Sequence, residues 1–336
     1  MFDKEKISEL FNSFNKLNVL IIGDVMVDSY LWGDVDRISP EAPVPVVNIT
    51  KRENRLGGAA NVALNIKSMG ANPILCSVVG NDTKGDEFLS LLEKQKMETV
   101  GILKSDKRIT TTKFRVIGNN MQLLRVDEEI DSFLEEIDRK KLFETFIEIS
   151  REKKIDVIVF QDYDKGIIDE ELISRVVEKA GELGIPVAVD PKRRNFLSYK
   201  GVTLFKPNLK ELSEGLKIEI DRKNRNKLKD AVSKLKSKIN ADIVMITLSE
   251  DGIFVEYNDN GEKEVKLFPS YVRAISDVSG AGDTVISVAS LCLAAGSDAA
   301  TMANIANLAG GLVCEEVGVV PVDKEKLLRE TLKLEM

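Results

Sequence analysis

The stretch Asp277-Val278-Ser279-Gly280-Ala281-Gly282-Asp283-Thr284 sets two glycines among two carboxylates. An apolar run free of Gly and Pro follows it as far as Ala295. This reads as a glycine loop opening a buried helix. Gly280 and Gly282 let the backbone take positive φ and come close to a ligand. The first turn of a helix carries unpaired N–H donors and a partial positive charge, which suit an anion. Asp283 falls in that turn. A carboxylate beside an anion site suits phosphoryl transfer to an alcohol: donors hold the transferring phosphate while the carboxylate takes the alcohol proton. A plain helix cap by Asp283 accounts for the same residues, and the octapeptide alone leaves both readings open.

Composition narrows the chemistry. The sequence has no histidine, which removes Ser–His and Cys–His triads, His-ligated zinc and a His-x-Gly-His nucleotidyltransferase clamp. Acid–base work falls to Asp, Glu, Lys or Tyr, and any nucleotidyl-transfer step would lie in another chain. A formal net charge of −7 with no long Lys/Arg block argues against nucleic-acid binding, yet leaves room for a small anionic substrate held by a few local cations. The opening text lacks the layout of a secretory leader, and no apolar run approaches the ~18 residues of a membrane span. Cys76, Cys292 and Cys314 lie far apart in apolar text, as in a reduced, cytoplasmic protein.

The elements that must position these groups alternate between strand and helix. The run 18–23 is apolar and ends in Gly, like a buried parallel strand. Residues 29–51, with Tyr30, Trp32 and three prolines, read as extended edge structure. Gly57-Gly58-Ala59-Ala60-Asn61 opens a helix. Residues 110–117 and 121–126 form a hairpin around Gly118-Asn119-Asn120 with one wet face. Further strands are expected at 74–79, 156–160, 186–189, 202–205 and 243–247, with a strand pair at 253–257 and 264–268. Helices are expected over 4–14, 86–96, 132–150, 169–182, from Asn208, over 221–239 and within 281–334. The sum is one α/β domain over 1–336: a parallel sheet with helices on both faces, plus an accessory sheet from 29–51 and 110–126. Ligands bind beyond the carboxyl ends of such strands. Those ends carry Asp24 and Asp28, Gln161-Asp162-Tyr163-Asp164-Lys165-Gly166, Asp190-Pro191-Lys192-Arg193-Arg194, Asn208 with Glu211, Thr247 to Gly252, and the Asp277–Asp283 loop.

These residues resemble the ribokinase-like (PfkB) carbohydrate kinases, and within them the D-glycero-D-manno-heptose 7-phosphate kinases. Gly280-Ala281-Gly282-Asp283 matches the family's signature, Gly57-Gly58 with Asn61 its N-terminal sugar signature, and Asn208-Leu209-Lys210-Glu211 its Asn-x-x-Glu element. The text from Arg37 to Val46, with Gly57 to Ala63, is similar to heptose kinases in particular. The resemblance runs from about Val19 to Val322. Three departures stand out: Gln161 where Ser is usual, Ser279 for Thr, and Arg193-Arg194 where a Gly is frequent. The glycine segment is also one residue shorter than in ribokinase proper.

The resemblance implies a three-layer α/β/α fold with a mostly parallel sheet and a β-sheet lid. It implies ATP and Mg²⁺, with K⁺ as a further candidate, and a homodimer through the lid strands. Asp283 would be the base, orienting the hydroxyl and accepting its proton late, since an ordinary Asp titrates at about 3.9. Gly280, Ala281 and Gly282 would present amides to the γ-phosphoryl group. Asp28, Asn61, Gly57 and Gly58 would bind sugar hydroxyls, with Asp162 and Asp190 beside them. Arg37, Lys113, Arg115, Arg125, Lys165 and Lys192 are candidates for the substrate's existing phosphate, though solvated charge accounts for any one of them. Gln122 and Asp127 would line the sugar pocket. Glu211 would hold Mg²⁺ through water and Asn208 would touch phosphates, a helix cap being compatible. Thr247, Ser249, Gly252 and Asn307 match positions around the nucleoside, with core packing a rival for Asn307. Asp277 and Ser279 match a monovalent-cation site. The implied activity is phosphorylation of the anomeric hydroxyl of heptose 7-phosphate. The alternatives are another sugar kinase, for ribose or fructose 6-phosphate, and a non-enzymatic binder on the same fold.

Overall fold

Thirteen strands are ordered along the described part of the chain. They are β1 (Asn18–Gly23), β2 (Val25–Ile38), β3 (Pro45–Gly58), β4 (Asn72–Gly80), β5 (Ile102–Ser105), β6 (Thr112–Gly118), β7 (Met121–Glu128), β8 (Val157–Gln161), β9 (Val187–Asp190), β10 (Leu204–Phe205), β11 (Ile243–Thr247), β12 (Ile253–Asp259) and β13 (Glu262–Phe268). The computed structural model describes residues 4–221, 224–271 and 275–334, so residues 222–223 of the helix expected over 221–239 lie outside the described residues. Nine strands make one sheet in the order β13-β12-β11-β10-β9-β8-β1-β4-β5, and the other four make a second, β3-β2-β6-β7. The large sheet is parallel from β11 to β5, and β12 and β13 extend it antiparallel at one edge.

The unbroken apolar runs have a simple cause: both faces of the sheet are covered. Along β1, Val19 and Ile21 enter one core while Leu20 and Ile22 enter the other. The first core lies under helices Ala59–Ser68, Ala281–Ala294 and Ala299–Val313, the second under Glu136–Glu152, Glu170–Leu183 and Arg225–Ile239. Each fully buried branched residue stabilises this three-layer arrangement by roughly 1.5–3 kcal/mol. Helix Ala281–Ala294 is buried continuously from Asp283 to Cys292, which explains why its text is apolar or small all round rather than amphipathic.

The small sheet departs from expectation in its bounds. The extended segment expected over 29–51 is a long hairpin, β2 with β3, that starts at Val25 and ends at Gly58. Gly57 and Gly58 finish this strand, and Gly58 is at the same time the N-cap of the helix that begins at Ala59, as the segment 57–61 led one to expect. The second hairpin, β6 with β7, turns on Asn119 and Asn120, at φ 50° and 64°. Two successive positive φ values define the tight turn whose twist suits a hairpin. The strand expected over 202–205 is only Leu204–Phe205, and β5 had no counterpart among the expected strands. Among the described residues, no helix is long and apolar enough to cross a membrane.

Candidate active site

The centre of the site is a row across the carboxyl edge of the large sheet. Gly23 is in register with Gln161, and Gln161 with Asp190. Lys206 follows β10 directly, its N–H bonded to Val189 O, so it extends the row. A Cβ at Gly23 would overlap the carbonyl of Gln161, so only glycine ends β1 there. Asp190 Oδ2 lies 3.1 Å from Lys206 Nζ and 3.5 Å from Gln161 Nε2. Lys206 is only 2% exposed, and a lysine that deep needs its carboxylate.

Asp283 hangs over this row from the first turn of helix Ala281–Ala294, whose N-cap is Gly280 at φ 80°. Oδ2 accepts a hydrogen bond from Asn61 Nδ2 at 2.6 Å. Oδ1 accepts two, from Tyr163 Oη at 2.7 Å and Gln161 Nε2 at 3.1 Å. The side chain thus points into the site and does not cap its helix. Burial pushes its pKa up to about 6; the bonds from Asn61 and Tyr163 oppose the shift, as does Lys206, while Asp190 adds to it. That makes Asp283 a better proton acceptor than an ordinary Asp. Of the first-turn amides, Ala281 N–H turns to Val278 O at 3.3 Å, which leaves those of Gly282 and Asp283 for an anion. Gly282 is near the row: a Cβ there would lie 3.9 Å from both Asp190 Oδ2 and Lys206 Nζ.

The loop after β8 is anchored from below. Asp24 accepts N–H bonds from Tyr163, Lys165 and Ile167 at 2.7, 3.2 and 3.0 Å. Burial, reinforced by Asp162, pushes its pKa up to about 6. Asp162, expected beside the sugar, is turned into the core instead. It accepts from Asn195 Nδ2 and Tyr199 Oη on one oxygen and from Asp164 N–H, in its own loop, on the other. Arg108 donates to the carbonyls of Ile130, Ser132 and Lys165 and fixes the same loop from the lid side.

On the far side of the row, Lys192 pairs with Glu211. Burial works against its charge, but Asp190 and Glu211 outweigh that and hold its pKa high. Lys192 therefore stands beside Asp190 and Glu211, apart from the ion pairs of Lys113, Arg115 and Lys165 on the lid side. Asn208 and Glu211 form a capping box: Glu211 N–H donates to Asn208 Oδ1 and Asn208 N–H to Glu211 Oε2, each at 2.8 Å. With one oxygen on Asn208 and the other on Lys192, Glu211 suits a metal through water, not directly. Asn208 bridges Thr247. Ser249 takes φ 54° and Gly252 φ 89°, the latter against Phe268 O where no Cβ fits. Asn307 donates to Pro269 O at 2.8 Å, a backbone bond that holds the amide in its buried position. Asp277 accepts from Ser279 N–H at 2.9 Å and Gly318 N–H at 3.1 Å. The Ser279 bond leads in keeping this carboxyl below the usual range, so Asp277 is charged and could attract a cation.

On the lid, Arg115 meets Asp28 at 2.5 Å. A Cβ at Gly57 would overlap Asp28 Oδ2, and one at Gly58 would overlap Asp24 O. Arg55, which no sequence pattern singled out, lies 4.9 Å from the centre of the Tyr30 ring, with Arg115 at 5.2 Å. Lys113 pairs with Asp127 and Glu129, Lys165 with Glu129, and Arg125 with Asp127. Arg37 and Gln122 are not brought to this cluster. Arg37 is exposed nine residues along β2 from Asp28, roughly 30 Å away at strand spacing, and Gln122 is exposed on edge strand β7. Lys206 was missed as well. Its one signal is its place between a strand and Pro207-Asn208.

Residues 16–326 match the family described as pfkB family carbohydrate kinase. The bifunctional protein HldE of Sulfurimonas denitrificans is 39% identical over 305 residues, covering 90% of this chain and 62% of its own length. That of Helicobacter pylori is 38% identical over 310 residues, covering 92% and 65%. The chain spans 62–66% of the length of the curated relatives it matches. Among solved structures, phosphofructokinase-2 from Escherichia coli in complex with potassium aligns with a TM-score of 0.77 at 20% identity, over 94% of this chain and 99% of that one. Ribokinase from Arabidopsis thaliana, complexed with ribose and ATP, aligns with a TM-score of 0.71 at 14% identity, over 95% and 99%. At such identities these structures establish the ribokinase-like fold. With the family match running across nearly the whole sequence, this chain belongs to the pfkB family of carbohydrate kinases.

Proposed function

We propose that the protein transfers the γ-phosphoryl group of ATP to the anomeric hydroxyl of D-glycero-D-manno-heptose 7-phosphate. The observation that carries the chemistry is Asp283, a buried carboxylate at a helix N-terminus, held by three donors and unused as a cap. The sugar assignment rests on the heptose-kinase text from Arg37 to Val46 and on the likeness to the HldE proteins.

The steps follow from the groups present. The sugar hydroxyl donates to Asp283, and its oxygen attacks the γ-phosphorus. The bond to the leaving ADP oxygen breaks as the hydroxyl proton passes to the carboxylate. The amides of Gly282 and Asp283 face the γ-oxygens, and Lys206 and Lys192 balance charge near them. Asp28, Asn61 and Gly57 receive the sugar. Lys113, Arg115 and Lys165 are the cations best placed for its phosphate, each with a carboxylate partner that a phosphate would compete against. Mg²⁺ would sit near Glu211 through water and supply charge neutralisation. A monovalent cation would sit at the Asp277–Ser279 turn. The lid exposes Ile38, Val44, Met121, Leu124 and Val126, which favours pairing with a second copy through these strands. The protein would act in the cytoplasm.

The deciding experiment measures ADP release against heptose 7-phosphate, ribose and fructose 6-phosphate, with wild type and Asp283→Asn. Heptose 7-phosphate should be preferred and the variant inactive. Ribose turned over equally well would end the sugar assignment, and an undiminished variant would end the assignment of the base.

A further inference from the structure

We propose that Asp283 works through one oxygen only, Oδ2, and that Tyr163 and Gln161 are positioning residues that saturate the other. This rests on Asp283 being the base. A carboxylate oxygen offers two in-plane acceptor sites. Oδ1 has both filled, by Tyr163 Oη at 2.7 Å and Gln161 Nε2 at 3.1 Å. Oδ2 has one filled, by Asn61 Nδ2 at 2.6 Å, and so retains one site for an incoming hydroxyl.

The amide orientations support the same division. Gln161 Nε2 lies within reach of two carboxylates, Asp283 and Asp190, and only its NH₂ can face them. Gln161 Oε1 and Asn61 Oδ1 are then buried without a partner. Asn61 Oδ1 belongs to the amide that marks Oδ2, the side on which a polyol would bring a second hydroxyl. The Tyr163 side is anchored: its N–H is tied to Asp24, and Arg108 holds the loop at Lys165. Tyr163 therefore acts as a fixed strut against the carboxylate.

The groups facing Asp283 are Asn61 from helix Ala59–Ser68, Gln161 and Tyr163 from β8 and its loop, Asp190 ending β9, Lys206 after β10, and Lys192 beyond Asp190. Removing one donor to Oδ1 leaves the others in place and must make the carboxylate more basic. The test is the pH profile of kcat/KM for Tyr163→Phe and, as a second variant should the first misfold, Gln161→Met, using whichever sugar phosphate the wild type accepts. In each, the acidic limb should move up by about one pH unit and kcat should fall roughly tenfold, with the KM for sugar nearly unchanged. A profile that stays put while KM rises would make Tyr163 a substrate contact and overturn the proposal. So would variants with unaltered kcat and profile. Full activity of Asp283→Asn would remove the base itself, an outcome distinguishable from both.

Discussion

Replacing Asp283 by Asn should make the folded protein more stable at neutral pH while sharply lowering turnover. Its carboxyl titrates near 6 instead of 3.8, so keeping it ionised destabilises the fold by on the order of 3 kcal/mol. The folded pKa is the higher one. The penalty is therefore absent below the unfolded value, grows as pH rises from there to about 6, and is constant above. The introduced amide carries no charge, and its oxygen can still accept from Tyr163 and Gln161. Its NH₂ then meets the NH₂ of Asn61. Asn61 can rotate its amide to accept, because its own oxygen has no partner to lose. We expect a net gain of about 1–3 kcal/mol at pH 8, a rise of a few degrees in melting midpoint, fading towards pH 4. Turnover should drop about 10²–10⁴-fold. Melts of both proteins across that pH range, with ADP release on the same samples, decide the matter. A variant less stable than wild type at high pH, or a difference that ignores pH, would refute the reasoning.

Wild-type kcat/KM should fall tenfold per pH unit below about 6 and level off above; a limb near pH 4 would mean that burial does not raise this carboxyl. Gly57→Ala puts a methyl group against Asp28 Oδ2 and should lower kcat/KM for sugar at least about tenfold with little change in the KM for ATP, which steady-state kinetics with each substrate varied will show. Lys206→Met removes the cation 3.1 Å from buried Asp190 and leaves only the more distant Lys192 beside it, which should destabilise the protein by about 2–4 kcal/mol. Urea titration checks this, and an unchanged midpoint would count against the pair.

The parallel sheet was legible in the sequence because strands buried on both faces must be apolar throughout, as 18–23 is. Asp283 was legible because two glycines beside an acid form a local pattern. What stayed hidden depends on register. That Asp162 turns inward follows from Asn195 and Tyr199, more than thirty residues on. Lys206 looked like any lysine until β9 and β10 aligned it with Asp190. Gly57 and Gly58 marked a helix start, which Gly58 caps, but that they also end β3 was hidden, because glycine pairs suit both a helix start and a crowded strand end. The carboxylate of Asp28, from the neighbouring strand, supplies the crowding at Gly57.

The row of Gln161, Asp190 and Lys206 works as a ruler. Neighbouring strands in a sheet stand about 4.8 Å apart whatever their side chains, so the marks on which the proposed phosphoryl transfer depends are spaced by backbone alone. Evolution can rewrite a mark but cannot slide it. The lid, by contrast, is two hairpins whose lengths and charges can drift without disturbing that scale. Descendants of this architecture should therefore diversify in the alcohol they accept far sooner than in how they handle the nucleotide.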